Sequence, residues 1–124
     1  VLRAFHIYAD NERVAQQVAA LRRGDFEAFL ALLNESGDSS WEYLQNVIPA
    51  GYKEHQEVAV AIAAAKHLLN GRGGVRVHGG GFAGTAQAFV PLDLLDTFKA
   101  GMEAILGAGR CHVLSIRPEG GAVL

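Results

Sequence analysis

The chain has 124 residues, with 11 Lys and Arg against 13 Asp and Glu for a net charge of −2, and half of it is hydrophobic. That is enough apolar sequence for one domain with an ordinary core, and with charge nearly balanced and no Lys/Arg run there is no electrostatic footprint for a nucleic acid or an anionic membrane. A single cysteine, Cys111, excludes a disulfide framework and a cysteine-based zinc site.

The chain opens on "VLRAFHIYADNERV" without an initiator methionine and enters helix-like sequence at once, which suggests a piece cut from a longer protein. It shows no signal-peptide pattern, so a cytoplasmic location is the simplest expectation. Leu2 to Arg22 places Ile7, Val14, Val18 and Leu21 on a helical stripe, and Gly24 followed by Asp25 reads as a stop and a new N-cap. A second helix runs from Phe26 to about Glu35 with Phe26, Phe29, Leu30 and Leu33 on one face, and "SGDSS" is expected to end it. "WEYLQNVIPAGY" reads either as an extra helical turn or as an irregular connection closed by Pro49 and Gly51. A third helix is expected from about Lys53 to Leu69, stopped by Asn70 and Gly71; its mainly apolar part, from Glu57, is interrupted by Lys66 and His67 and is too short to span a bilayer.

Beyond Gly71 the period changes. Val75 to His78 and Thr85 to Val90 are strand candidates, and "CHVLSIRP", starting at Cys111, is a third. Between the last two, Leu94, Leu95, Phe98, Met102, Ile105 and Leu106 form the apolar stripe of another helix, with Pro91 near its start and Gly107 at its end. Three helices followed by strand, strand, helix and strand predict an α+β fold with a small, mostly antiparallel sheet packed with helices.

The segment "RVHGGGFAGTAQAFV", Arg76 to Val90, concentrates backbone freedom between two strands. It lacks the Gly-Lys-Ser/Thr of a P-loop and is followed by a strand rather than the helix of a dinucleotide fingerprint. Two readings stand: a hairpin whose glycines serve only tight backbone angles, or a nest of free N–H groups that holds an anion and lets a ligand approach.

These residues carry a resemblance. "RVHGGGFAGTAQAFVP" resembles the third signature motif of the galactokinase, homoserine kinase, mevalonate kinase and phosphomevalonate kinase superfamily. The upstream pattern of Asn11 to Val14, Val18, Ala20, Leu21, Gly24 to Phe26, Phe29, Leu32, Glu35 and Ser36 is similar to the helical segment preceding that motif in galactokinases. The likeness covers nearly the whole chain. His78 and Ala83 stand where galactokinases commonly have Thr and Gly, which marks a divergent branch.

The resemblance implies that residues 1–124 are the carboxyl-terminal half of a sugar kinase, with a ferredoxin-like α+β fold. Such an enzyme moves the γ-phosphoryl group of ATP to the 1-hydroxyl of galactose or a related sugar. It further implies that ATP and Mg²⁺ are bound mainly by an amino-terminal half, that the catalytic residues lie in that half, and that this chain alone is inactive. The implied partners are that half, the sugar and ATP, with self-association of the fragment through the face the other half would cover. Gly79, Gly80, Gly81, Phe82, Ala83 and Gly84 would lie near phosphates and sugar, with Phe82 anchoring the loop.

Beside the loop, His78 and Arg76 are candidates for phosphate contact, against a packing role for the first and a structural ion pair for the second. His6, His55, His67 and His112 include no i, i+4 pair, so no metal site is expected. Cys111 reads as a small core residue, and Asp10, Glu12, Asp38, Asp93 and Asp96 as helix-end and solvated-face charges. The reading from a different class is a stand-alone module that uses the same loop to bind a small ligand or a protein, without chemistry.

Overall fold

The order of apolar and glycine-rich segments resolves into helices stacked on both faces of a hairpin. The computed structural model describes residues 1–82 and 84–120. Helix α1 spans Leu2–Arg22 and α2 Phe26–Ser39, the latter continued by a π-helical turn, Ser40–Leu44. Helix α3 spans Glu57–Leu69, strands β1 and β2 are Gly74–His78 and Thr85–Phe89, and a 3₁₀ turn, Leu92–Leu94, leads into α4, Leu95–Leu106. The fold is α+β, with a small antiparallel sheet in which Gly74 faces Phe89 and His78 faces Thr85. No helix among the described residues is long and apolar enough to cross a membrane.

The local signals explain most boundaries. Gly24 has φ +72° and the Asp25 carboxylate accepts the Ala28 N–H at 3.0 Å, so one residue stops α1 and the next caps α2. Asn70 ends α3 in the left-handed conformation. Alternation along β1 sends Val75 and Val77 to one face, where they join Val58, Ala61, Ile62, Ala65 and Leu69 of α3 and Phe98 and Met102 of α4 in the core. Ala88, opposite Val75, and Cys111 pack against the same cluster, the latter as its composition suggests. The 13-residue α3 begins at Glu57, where its apolar part starts and four residues after the expected Lys53, because the chain first makes a turn in which the His55 N–H donates to the Tyr52 carbonyl at 3.2 Å.

Four features depart from or add to what the sequence suggests; those at α2, Asp10 and residues 111–118 are corrections. First, "SGDSS" does not end α2: Ser36, Ser39 and Ser40 are buried inside a helix that runs through them. Their small size is what lets α2 lie close to β1. A Cβ on Gly37 would come 2.8 Å from Arg76 Cβ and 3.1 Å from the Val75 carbonyl oxygen.

Second, the stripe of Ile7, Val14, Val18 and Leu21 faces solvent, with these residues 52, 54, 41 and 50% exposed. The face α1 turns inward carries His6, Asp10, Arg13, Gln17 and Ala20, at helical spacing but largely polar. Third, Asp10 is therefore not a solvated-face charge; it lies in a polar network against α2. Fourth, residues 111–118 form no strand, since neither β1 nor β2 pairs with them.

The outer edge of β1 is closed by a side chain. Asn34 of α2 donates to the Gly73 carbonyl at 3.3 Å and accepts the Val75 N–H at 3.0 Å. It completes the edge much as a neighbouring strand would.

Candidate functional site

The glycine loop joins β1 to β2 and is held from one side. Ser40 donates to Asn46 Oδ1 at 3.0 Å, and Asn46 Nδ2 donates to the Gly80 carbonyl at 3.3 Å. The Phe82 N–H donates to the Asn46 carbonyl at 2.6 Å. Asn46 itself is buried, because Gln45 turns left-handed at φ +55° and directs the following residue inward. The segment whose sequence was ambiguous is thus the support of the loop.

The glycines divide by what surrounds them. Gly81 has φ +80°, and a Cβ there would lie 2.2 Å from the Asn46 carbonyl oxygen, so this glycine is required by packing. Gly80 differs: its φ is outside the left-handed range and, among the described residues, nothing lies within 4 Å of where its Cβ would be. Gly79 has φ +65° over open space, and Gly84 makes only a tight approach of 3.1 Å to the Gly81 carbonyl. Among the described residues, the amides of Gly79, Gly80 and Gly81 donate to no protein acceptor. Consecutive free N–H groups of this kind are an anion-binding arrangement.

Phe82 acts differently from expectation. Its side chain is 53% exposed and its φ is +52°, so the residue pins the loop through its amide and not through its ring. Ala83 lies outside the described residues.

The two flanking candidates separate. His78 ends β1, exposed, with Nδ1 3.3 Å from Gln87 Oε1 across the hairpin. Arg76 points back toward α2, where Nη1 donates to Ser36 Oγ at 2.6 Å and Nε to the Val77 carbonyl at 3.1 Å. The Ser36 hydroxyl in turn donates a hydrogen bond to Asp10 Oδ1 at 2.5 Å. Asp10 also accepts from Arg13 at 3.2 Å and faces His6 Nε2 at 3.9 Å, while the other nitrogen of His6 shares a hydrogen bond with Ser39 Oγ at 3.0 Å. This network joins α1, α2 and β1 and fixes the strand that enters the loop. Sequence reasoning missed it, although the i, i+4, i+7 spacing of His6, Asp10 and Arg13 marks them as one helical face.

Among the described residues no group of three or more His, Cys, Asp or Glu is placed to hold a metal ion. Among the described residues, the open space at Gly80 and the three amides without an acceptor fit phosphate oxygens, and no comparable donor set for Mg²⁺ stands beside them. No protein-family model matches the chain.

Proposed function

We propose that the chain is the carboxyl-terminal domain of a galactokinase-like enzyme, in which the glycine loop positions phosphate and sugar for transfer of the γ-phosphoryl group of ATP to a sugar 1-hydroxyl. One observation carries the reading: Gly80 occupies a position where neither backbone angle nor packing among the described residues calls for glycine. A hairpin serving only its own turn has no use for that opening, whereas a loop approached closely by a ligand does.

Phosphoryl transfer is mostly positioning and electrostatic stabilisation. The loop would contribute N–H donors from Gly79 to Gly81, held rigid by Asn46 and by the Arg76 network beneath β1. The metal and the groups that handle the hydroxyl proton would come from the amino-terminal half, which would dock on an apolar face. The exposed stripe of α1 supports that part of the reading.

The complete gene product, assayed with ATP, Mg²⁺ and a panel of hexoses, is expected to yield a sugar 1-phosphate, and the 124-residue chain by itself is not. Failure of the complete product to phosphorylate any hexose overturns the proposal.

A further inference from the structure

On the hairpin face away from the core, an open groove of about 300 Å³ runs between the helices and the strands up to Gly79. Register puts Arg76, His78, Gln87 and Phe89 on this face. Its two ends differ in chemistry. At one end Phe29 and Phe89 meet edge to face, with ring centroids 5.5 Å apart, beside Leu33. At the loop end stand Arg76, His78 and Gln87, and Gln17 of α1 also lines the groove.

No Asp or Glu lines the groove among the described residues. Asp10, the nearest acid in the Arg76 network, is reached only through the Ser36 hydroxyl. The guanidinium is fixed by its bonds to Ser36 and Val77, and its Nη2 donates to no acceptor among the described residues. The same holds for the Gln17 amide and for His78 Nε2. Prearranged N–H donors at one end and aromatic walls at the other are the makings of a small-ligand site, and the volume lies at the lower end of the range of about 300–1,000 Å³ for such sites.

We propose that this groove is a second binding site, for a small molecule made of a flat apolar ring carrying one oxyanion, with the ring against Phe29 and Phe89 and the oxyanion toward Arg76, His78 and Gln87. A guanidinium with an open N–H edge suits an oxyanion better than a neutral acceptor.

The proposal is independent of the kinase reading, and its test measures binding to the 124-residue chain with no activity readout. The probes are phenyl phosphate and benzoate, which separate phosphate from carboxylate as the oxyanion, with inorganic phosphate and benzyl alcohol as half-probes. Backbone amide NMR titration is expected to show saturable shifts at Gln17, Phe29, His78 and Gln87 with at least one ring-bearing anion, and binding of each half-probe about tenfold weaker or worse. The double variant His78→Ala, Gln87→Ala changes only exposed side chains, so the fold should survive. It is expected to weaken the anion by about tenfold, the equivalent of one charge-assisted hydrogen bond. Phe29→Leu should weaken the ring-bearing anion and leave inorganic phosphate unchanged. Shifts confined to Gly79–Gly84, equal affinity for ring-bearing and bare phosphate, no saturable binding, or a double variant that binds as tightly as the parent each overturn the proposal.

Discussion

Gly80 and Gly81 are neighbours in sequence and opposites in environment, and substitution should separate them. Gly81→Val must clear an atom 2.2 Å away while keeping φ +80°, so it should destabilise the chain by about 1–3 kcal/mol or detach the loop from Asn46. Gly80→Val enters open space and should leave the melting temperature nearly unchanged. In the complete protein, however, it should reduce turnover on the order of a hundredfold, the cost of misplacing a reacting group by about 1 Å. Melting temperature and turnover per folded molecule, measured for both variants, check this; normal turnover in Gly80→Val returns the loop to a hairpin role. Asn34 offers a second test at this scale. Its replacement by Ala strands the Val75 N–H and the Gly73 carbonyl, and chemical denaturation should show a loss of about 1–3 kcal/mol.

Among the elements, α1 and the turn before β1 make the clearest demands. Helix α1 repeats Ala4, Asn11 and Val18 against Ile7, Val14 and Leu21 at heptad spacing, and the apolar members other than Ala4 form the exposed stripe. Left uncovered, such a face drives association, so the isolated chain should sediment with a concentration-dependent mass, and Val14→Glu with Val18→Lys should return it to monomer without loss of helicity. A parent chain that stays monomeric at millimolar concentration counts against α1 as a docking face.

The turn after α3 is tied to the 3₁₀ turn that leads into α4 by a two-pronged ion pair, with Arg72 Nη1 and Nη2 each 2.8 Å from an Asp93 oxygen. Hydrogen bonding to Arg72 holds the Asp93 carboxyl below its ordinary value of 3.8, and the same bond raises Arg72. A carboxylate with a depressed native pKa stabilises the fold above its unfolded pKa, and that contribution fades as pH falls through the native pKa. The difference in melting temperature between the parent and Asp93→Asn should therefore be largest near neutrality and vanish in strong acid. Both groups are well exposed, so the difference should be small and should shrink further with added salt.

At the scale of the whole molecule, the core lies between the hairpin and α3 with α4, while α2 covers the other face through Phe29 and Leu33 as well as through the Arg76 network, and α1 joins it through that polar network. Amide exchange should follow that division. Val75 and Val77 should exchange most slowly and residues 111–118 within the dead time, because they join no ladder. Slow exchange at Val113, Leu114 and Ile116 would mean that a third strand forms in solution.

Elements set by short-range chemistry were legible from the residues alone: the Gly24–Asp25 stop and cap, the end of α3 at Asn70, both strands, the closing helix and the glycine loop between strands. Each depends on a backbone preference or a period that a window of a few residues contains. Tertiary structure decided the rest. Ser and Gly read as a helix stop because isolated chains use them so, yet in α2 they are the small residues that let a helix approach β1. The stripe of α1 was legible as a stripe but not as an exposed one: the polar face toward α2 satisfies its hydrogen bonds by turning inward, which leaves the apolar residues outside. Residues 111–118 alternate like a strand, but a strand exists only where another backbone meets it, and none does here among the described residues. The contrast between Gly80 and Gly81 was likewise invisible, since the two share a letter and differ only in whether Asn46, more than thirty positions away, stands beside them.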